Sequence, residues 1–215
     1  MQITRILAIR HGETEWNVGG RLQGHLDIPL NDTGRLQAER LARALAGREP
    51  IHAIYSSDLS RARGTALALA DAVGVPVITR PGLRERSFGD FQGQTFEQVR
   101  QAWPDEAQRW RRRDPEWAPP RGESLLIFQE RVAQELQALA AENTGNLIVI
   151  VTHGGVLDVL YRAAARLGLQ DARTWELANT AVNRLLWSPD GGLSLVGWAD
   201  VSHLEEDMSL DENTS

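Results

Sequence analysis

The chain has 215 residues, a formal net charge of −6, an apolar share of 42% and no cysteine. That length and apolar share suit one domain with a sizeable core rather than two separate domains. The acidic balance argues against a surface for nucleic acid or anionic membranes, because both depend on a broad positive field. Any anion site therefore has to be local. The lack of cysteine excludes a disulfide framework and a thiolate metal site.

The two ends of the chain carry separate expectations. No apolar run of the signal-peptide type precedes the first predicted strand, and no stretch approaches the length of a membrane span. These features predict a cytoplasmic protein. The segment 205–215 is acidic and polar, which predicts a disordered tail after a single domain over residues 1–204.

The first predicted strand ends in a cluster of polar groups. Residues 6–9 are apolar and partly β-branched, which is typical of a buried strand in a parallel sheet. Arg10 and His11 then stand at its carboxyl end, the edge where open α/β sheets bind ligands. Arg10 is a forked, permanent cation suited to two phosphate oxygens, and His11 can act as a nucleophile. Gly12 lets the backbone turn tightly beside them.

The rest of the chain alternates helix and strand patterns with short connections. A helix is predicted from the capping residues 31–34 to about 46, and others over 59–73, 125–142 and 156–167. Strands are predicted over 53–55, 75–79 and 147–151, the last in the middle of the sheet because it is apolar throughout. Segments 182–187 and 193–198 flank a Pro-Asp-Gly-Gly turn and predict a hairpin. This order predicts an α/β three-layer sandwich with a mostly parallel central sheet and helices on both faces.

Residues 88–124, the lid segment, have a different character. An irregular helical stretch over 95–113 is broken at Pro104 and predicts a small helical lid or side subdomain. The tryptophans there recur every seven residues, which favours core packing over a binding platform, and the arginines at 109 and 111–113 favour a solvated face. In the alternative, one of these arginines meets a carboxylate or second phosphate of a substrate. The candidates for lining the mouth of a site are Arg86, Phe91, Trp110 and Arg113.

The histidines outside the two His-Gly pairs are predicted to be surface or loop residues. They are His25, His52 and His203. None of the five histidines has metal-ligand spacing such as His-x-x-x-His, so the sequence predicts no metal site and argues against a metallohydrolase.

Chemistry is expected where two strand ends each deliver a His-Gly pair. His11 precedes Gly12 and His153 precedes Gly154. In a parallel sheet both pairs fall on one edge, and Arg61, near the start of a helix that follows another strand, can reach the same edge. A cluster of cationic and proton-carrying groups suits a phosphoryl group, because its transfer is stabilised by charge placed on the equatorial oxygens.

Four segments together carry a family resemblance. They are Arg10-His11-Gly12-Glu13-Thr14, Ser57-Asp58-Leu59-Ser60-Arg61-Ala62, Leu83-Arg84-Glu85 and Thr152-His153-Gly154. In this order and at these separations, the chain resembles the histidine phosphatase superfamily, the phosphoglycerate-mutase-like proteins. The broad-specificity phosphatases of that group are the most similar, and the segment 200–206 is similar to their closing stretch.

The resemblance implies a role for each site residue. It implies that His11 attacks phosphorus, that Arg10, Arg61 and His153 hold the phosphoryl oxygens, and that Glu85 donates and accepts protons. It also implies a reaction independent of metal and cofactor. Contacts to the phosphate or the substrate are implied for Asn17, Gln23, Gly24 and Gly154.

The side chains of His11 and Glu85 are themselves suited to this chemistry. An in-line attack by His11 would form a phosphohistidine and divide one hard displacement into two easier ones. The other ring nitrogen then needs an acceptor, such as the backbone carbonyl of Gly12, so that the attacking nitrogen keeps its lone pair. Glu85 can protonate a departing alkoxide and afterwards take a proton from water.

Three functions remain open at this point. The compact region after Glu85 and the short tail favour a phosphatase that acts on a small phosphorylated metabolite. The alternative is a phosphoglycerate mutase that depends on a bisphosphate cofactor. A non-catalytic module that binds a phospho-ligand is disfavoured, because every core position of the motif is filled. The hairpin edge over 182–198 offers a surface for a homodimer.

Overall fold

The computed structural model describes residues 3–205 and is built around one six-stranded sheet. Its strands are β1 (Thr4–Arg10), β2 (Ala53–Ser56), β3 (Val77–Thr79), β4 (Leu147–Thr152), β5 (Val182–Ser188) and β6 (Gly192–Asp200). The order is β3-β2-β4-β1-β5-β6. The first four strands are parallel, whereas β5 pairs antiparallel with both β1 and β6. The predicted mostly parallel sheet and its closing hairpin are confirmed.

Helices cover both faces of this sheet. The helices of the described residues are α1 (Glu15–Val18), α2 (Asp32–Leu45), α3 (Ser60–Val73), α4 (Phe96–Ala102), α5 (Pro104–Arg111), α6 (Leu125–Glu142) and α7 (Gly154–Ala165). Helices α2 and α3 pack on one face, and α6 and α7 on the other. The predicted three-layer α/β arrangement is therefore confirmed. Within residues 3–205, no helix is long and apolar enough to cross a lipid bilayer.

The central strand β4 shows why the sheet needs both layers. All six of its residues are buried. Because successive side chains point to opposite faces, Ile148 and Ile150 pack against α6 and α7, while Val149 and Val151 pack against α2 and α3. Each such side chain contributes about 1.5–3 kcal/mol when fully buried. An uninterrupted apolar strand is stable only in this position, in the middle of a sheet covered on both faces.

The register of the strands brings the polar segments to one edge. Arg10 at the end of β1 stands opposite Thr152 at the end of β4. The His11 N–H donates to the Thr152 carbonyl at 2.9 Å, which places His11 beside His153. Strand β2 ends at the same level, since Ser56 pairs with Val151.

The lid segment has a small core of its own. Buried Phe91, Val99, Ala107 and Trp117 form it, and Trp103 and Trp110 pack against it. The core packing predicted for the tryptophans is present, and Pro104 begins α5 as the predicted break. Phe91 was a candidate for the mouth of the site, but that prediction was wrong, because its ring is fully buried among the tryptophans.

Two predictions at the end of the chain have different outcomes. His203 was expected on the surface, but the short 3₁₀ turn Ser202–Leu204 packs on α2 and buries it, with Nε2 3.2 Å from the Thr180 hydroxyl. The acidic tail predicted over 205–215 lies outside the described residues beyond Glu205.

Candidate active site

His11 is buried directly after β1, and one hydrogen bond fixes its ring. Its Nδ1 lies 2.7 Å from the Gly12 carbonyl oxygen, which can only accept, so Nδ1 carries the proton and Nε2 keeps a lone pair. This is the backbone contact that the sequence predicts. Burial lowers the pKa of His11 well below its ordinary value, and the nearby Arg10 and Arg61 lower it further. The ring is therefore a neutral potential nucleophile at neutral pH.

Gly12 is required for space rather than for a left-handed backbone. A Cβ at this position would lie 2.4 Å from the carbonyl oxygen of Gly34 in the first turn of α2. Gly12 is also absent from the glycines with positive φ, so the predicted reason, a tight turn, was wrong. The close approach lets the Gly12 N–H donate to the Thr65 hydroxyl at 2.9 Å. The loop that carries His11 is thus packed directly against α2 and α3.

His153 follows β4, with its ring centroid 5.2 Å from that of His11. Its Nε2 lies 2.9 Å from the hydroxyl of Ser57, which is fully buried and already accepts the Leu59 N–H at 3.3 Å. Among the described residues the Ser57 hydroxyl has no other acceptor for its proton, so it donates to Nε2 and Nδ1 carries the ring N–H. Among the described residues this buried Nδ1 has no hydrogen-bond partner. Burial, and then Arg61, lower the pKa of His153 well below its ordinary value.

Arg10 and Arg61 are held by backbone carbonyls rather than by carboxylates. Arg10 donates through Nη1 to the Leu177 carbonyl, and Arg61 donates to Leu26 at 2.9 Å and to Gly24 at 2.8 Å. In both side chains Nε is buried and unpartnered among the described residues. Burial lowers the pKa of Arg61 to about 10, an effect that Glu85 partly offsets. Two cations whose buried Nε donors are open favour an anion between them.

Glu85 reaches the same edge from the segment that follows β3. Its Oε2 accepts the N–H of Gly155 at 3.0 Å, and its Oε1 accepts the N–H of Arg86 at 2.8 Å. A Cβ on Gly155 would lie 2.1 Å from Oε1, so the glycine is what admits the carboxylate. Arg84 turns away and binds Asp58 through two hydrogen bonds of 2.7 and 2.5 Å.

The four residues implied to contact phosphate or substrate surround this cluster. Gln23 is buried, with an Oε1 that has no partner among the described residues, and the carbonyl of Gly24 holds Arg61. Gly154 is the first residue of α7, where a Cβ would lie 3.6 Å from Arg10 Nε. Asn17 has a structural role as well, since its Oδ1 accepts the Thr14 N–H at 3.1 Å and completes the capping box of α1.

The loop before β5 also contacts the segment that carries His11, and the sequence did not predict this contact. Asn179 donates through Nδ2 to the His11 carbonyl at 2.8 Å, and the Thr180 N–H donates to the Arg10 carbonyl at 3.0 Å. An asparagine in a loop carries no motif, so only the tertiary fold shows that this segment fixes residues 10 and 11.

A cavity of about 440 Å³ opens beside the cluster. Arg10, Glu85 and Gly154 lie on its wall, whereas His11 and His153 are not part of its lining. The other side chains around it are mainly aromatic or cationic, and include Arg86, Phe88, Trp110, Arg113 and Arg173. The nucleophile candidate is thus enclosed, and access to it passes a positively charged vestibule.

Two arginines of this vestibule, Arg113 and Arg86, were candidates for lining the mouth of the site, and both do so. Arg113 has a φ of 51° and extends its side chain to Asp158 of α7, with Nη2 2.8 Å from Oδ2, so its predicted place on a solvated face was wrong. Arg86 is buried and donates to the Glu123 carbonyl at 2.8 Å. Its guanidinium lies within 6.0 Å of the ring centroids of Phe88, Trp110 and Trp117. Burial lowers the pKa of Arg86 to about 10.

Within the part of the chain that the structure describes, no group of three or more histidine, aspartate or glutamate residues is placed to hold a metal ion. The donors at the site are instead N–H groups and cations, which are suited to an anion.

Several phosphatases are similar to this chain in sequence or in structure. A glucosyl-3-phosphoglycerate phosphatase from Mycolicibacterium vanbaalenii is 42% identical over 79% of this chain and 76% of its own. A metal-independent phosphoserine phosphatase from Arabidopsis thaliana is 36% identical over 94% of this chain and 84% of its own. A crystal structure of phosphoserine phosphatase from Entamoeba histolytica, in complex with 3-phosphoglyceric acid, superposes with a TM-score of 0.81 at 29% identity. That alignment covers 94% of this chain and 99% of the crystallised one.

The family follows directly. Residues 6–201 match the histidine phosphatase superfamily, branch 1, and the chain belongs to that superfamily.

Proposed function

We propose that this protein hydrolyses monoesters of small phosphorylated metabolites through a phosphohistidine on His11, without a metal ion. The observation that carries the proposal is the pairing of a buried, neutral imidazole with unpartnered donors. The Nε atoms of Arg10 and Arg61 and Nδ1 of His153 are buried and without partners among the described residues. These three N–H donors suit the oxygens of a phosphoryl group next to the free Nε2 of His11.

The first half-reaction transfers the phosphoryl group to the enzyme. Nε2 of His11 attacks phosphorus, a P–N bond forms and the P–O bond to the leaving alkoxide breaks. The Glu85 carboxyl gives its proton to that oxygen, so the alcohol leaves neutral. Arg10, Arg61 and His153 stabilise the charge on the three equatorial oxygens.

The second half-reaction restores the enzyme. The Glu85 carboxylate takes a proton from a water molecule, whose oxygen attacks the phosphorus of the phosphohistidine. The P–N bond breaks, its electron pair returns to Nε2, and inorganic phosphate leaves. Glu85 is then protonated for the next cycle, and no step needs a metal ion or a cofactor.

The vestibule favours a substrate with a second negative group. Arg86, Arg113 and Arg173 line it together with Arg10, and they outnumber the two carboxylates on the same wall, Glu85 and Asp158. Phosphoserine and glucosyl-3-phosphoglycerate, named in two relatives, both carry a carboxylate near the phosphate ester. Carboxylate-bearing phosphate esters are therefore the substrate class proposed for this chain.

Phosphate release in the presence of a chelator tests the proposal. Phosphoserine, 3-phosphoglycerate and p-nitrophenyl phosphate are incubated with the protein and EDTA, and inorganic phosphate is measured. We expect turnover to persist with EDTA and to fall by at least about 1,000-fold in His11→Gln, since removing an essential nucleophile has effects of this size or larger. Loss of turnover with EDTA, or full turnover in His11→Gln, would contradict the mechanism.

The same assay separates hydrolysis from mutase activity. A phosphoglycerate mutase would return the phosphoryl group to a substrate hydroxyl, depend on a bisphosphate primer and release little inorganic phosphate. The expected result is stoichiometric phosphate release that a bisphosphate does not stimulate.

A homodimer is proposed through the free edge of the sheet. Strand β6 is the last strand in the order, and Leu195 and Val196 on it are 39% and 59% exposed. Pairing of two such edges would satisfy their open backbone groups and cover both side chains. Sedimentation velocity over a range of protein concentrations tests this, and a single monomeric species at every concentration would contradict it.

A further inference from the structure

The segment that carries Glu85 has no strand or helix of its own to hold it. It includes the short 3₁₀ turn Pro81–Leu83 and continues to the next such turn, Gly89–Phe91. A single side chain from another element, Arg131 of α6, donates to three of its carbonyl oxygens. The distances are 2.8 Å to Gly82, 3.0 Å to Arg84 and 3.2 Å to Glu85. The backbone on the N-terminal side of the Glu85 side chain is therefore fixed from α6.

Glu123 extends this contact to the other side of Glu85. Its two carboxylate oxygens accept from Nε and Nη2 of Arg131 at 2.9 and 2.8 Å, and Oε2 also accepts the Ser87 N–H at 2.8 Å. Burial would raise the pKa of Glu123, but the bonds from Arg131 and Ser87 outweigh it and keep the pKa below its ordinary value. Arg131 and Glu123 together hold the chain both before and after Glu85.

One further side chain meets the same carbonyl. His25 lies with Nε2 2.8 Å from the Glu85 carbonyl oxygen and 4.0 Å from Glu123 Oε2. It is a loop residue, as predicted, but half-buried against this segment. His25 contacts one carbonyl of this segment, whereas the Arg131 guanidinium contacts three.

We infer that Arg131, with Glu123, is a positioning residue that sets where the Glu85 carboxyl meets the leaving-group oxygen. Arg131 contacts the backbone of the segment and the ring of Phe128, and it contacts none of the phosphoryl-binding side chains, so the effect inferred for it on proton transfer passes through Glu85. The guanidinium suits this task because its rigid fork of donors can span several carbonyls at once. The inference rests on the proposed function, since it assigns a purpose to the placement of a proton donor.

A difference between two substrates provides the test. An alkyl phosphate such as phosphoserine leaves as a basic alkoxide and needs the proton from Glu85. The p-nitrophenolate of p-nitrophenyl phosphate is a weak base and leaves without one. The kcat/KM of each ester reports the steps up to departure of the leaving group, so later hydrolysis of the phosphohistidine does not enter. A residue that only supports the fold would affect both esters alike.

The variant is Arg131→Gln, and the matched control is Arg80→Gln. Arg80 also connects the segment before Glu85 to α6, through ion pairs with Glu142 at 2.9 Å and Glu135 at 3.8 Å, but it touches no carbonyl of residues 82–85. Both variants therefore lose an arginine contact between the same two parts of the chain. Thermal melting of each variant confirms that the folded protein is being assayed.

We expect Arg131→Gln to lower kcat/KM for phosphoserine by about 30-fold, within the ~100–10,000-fold that general acid catalysis supplies. For p-nitrophenyl phosphate the expected loss is below about 3-fold, because no proton transfer is needed. Arg80→Gln should leave both values near those of the unmodified protein. In a Glu85→Gln background, Arg131→Gln should add little further loss for phosphoserine, since the group that it positions is already missing.

Equal losses on both esters in a folded Arg131→Gln protein would overturn the inference and leave the proposed function intact. So would a full additional loss in the Glu85→Gln background. An unmodified protein that releases no phosphate from either ester would instead contradict the proposed function. If Arg131→Gln does not fold, Glu123→Gln, which keeps the arginine and its carbonyl contacts, is measured with the same pair of esters. A selective loss on phosphoserine would support the inference, and equal losses would refute it.

Discussion

At the scale of single residues, hydrogen bonds hold two neighbouring imidazoles in different tautomers. The Gly12 carbonyl takes the Nδ1 proton of His11 and leaves Nε2 free, whereas the Ser57 hydroxyl donates to Nε2 of His153 and makes Nδ1 the donor. Both rings are buried beside two cations, and both are neutral at pH 7. One ring can therefore attack phosphorus while the other binds a phosphoryl oxygen.

Replacement of Ser57 tests the tautomer of His153. In Ser57→Ala the ring loses the donor that fixes Nδ1–H, and kcat/KM should fall about 10-fold for every phosphate ester, in keeping with ~1–3 kcal/mol for an unsatisfied buried polar group. Ser57→Thr keeps the hydroxyl and should retain most of the activity. Nitrogen NMR of His153 measures the tautomer directly. A protonated Nε2 in the unmodified protein would contradict the assignment.

Depressed histidine pKa values also set a dependence of stability on pH. The folded protein keeps His11 and His153 neutral, while the unfolded chain takes up protons below the ordinary histidine pKa of about 6.5. Below about pH 6.5 the unfolded state then binds more protons than the folded state, so the free energy of unfolding decreases as the pH falls. Above that pH these two histidines do not change the free energy of unfolding. Denaturant unfolding of the protein and of His153→Gln between about pH 7.5 and 5 measures this decrease. The range brackets the ordinary histidine pKa of about 6.5.

The variant should lose less stability over that interval than the unmodified protein does. Carboxylates with lowered pKa values, such as Asp58 and Glu123, act at lower pH and do not confuse the comparison. Identical pH slopes for the two proteins would show that the buried His153 does not resist protonation.

At the scale of elements, the site is made by strand register and by helix starts. Strands β1 and β4 end side by side, and α7 begins at once after His153, so its first amides face the site. One of these amides, from Gly155, binds Glu85. A glycine at this position allows the carboxylate to approach the helix, which neither its neighbours in sequence nor a helical pattern would indicate.

Gly155→Ala should displace Glu85 while leaving the sheet intact. The added methyl group would overlap Oε1, and kcat/KM for an alkyl phosphate should fall by about 100-fold, the scale of a 1 Å misplacement in an active site. Gly64→Ala in α3 is the control, because its Cβ would meet only the flexible side chain of Leu30, at 3.2 Å. Equal activity of the two variants would show that the carboxylate does not need this approach.

Prediction from the sequence succeeds where a pattern is local. The helix predicted over 125–142 has those bounds in the structure, because apolar spacing and the Ser124 cap specify it, and β4 is equally well marked by its apolar run. The motifs also identified the residues that gather at the sheet edge. Long-range contacts carry no such signal, so the inward turn of Arg113, the burial of His203 and the carbonyl contacts of Arg131 appear only in the fold.

At the scale of the whole molecule, an acidic protein encloses a cationic site. The net charge is −6, yet the partly buried Arg10 and the buried Arg61 have no carboxylate partner within hydrogen-bonding distance among the described residues. The lid segment packs its aromatic rings around Arg86, which precedes it in the chain, and adds Arg113 to the vestibule. Attraction for an anion is therefore local, at a cavity whose wall the lid segment helps to form.

Replacement of Arg86 tests whether the vestibule contributes to substrate choice. In Arg86→Gln the vestibule loses a buried cation, and KM for phosphoserine and 3-phosphoglycerate should rise about 10-fold, since hydrogen bonds to charged groups contribute ~1.5–3 kcal/mol. KM for p-nitrophenyl phosphate, which has no second anion, should change little. Steady-state kinetics on the three esters measure the difference, and an equal rise for all of them would place Arg86 at the phosphate rather than at the carboxylate.

The covalent step is tested most directly by trapping the phosphoenzyme. The protein is mixed with phosphoserine, quenched within milliseconds in alkali, where phosphohistidine survives, and digested for mass spectrometry. The expected result is one phosphoryl group on the peptide that contains His11, attached to the ring, and none in His11→Gln. A phosphoryl group on another residue, or turnover in His11→Gln at the rate of the unmodified protein, would contradict His11 as the nucleophile.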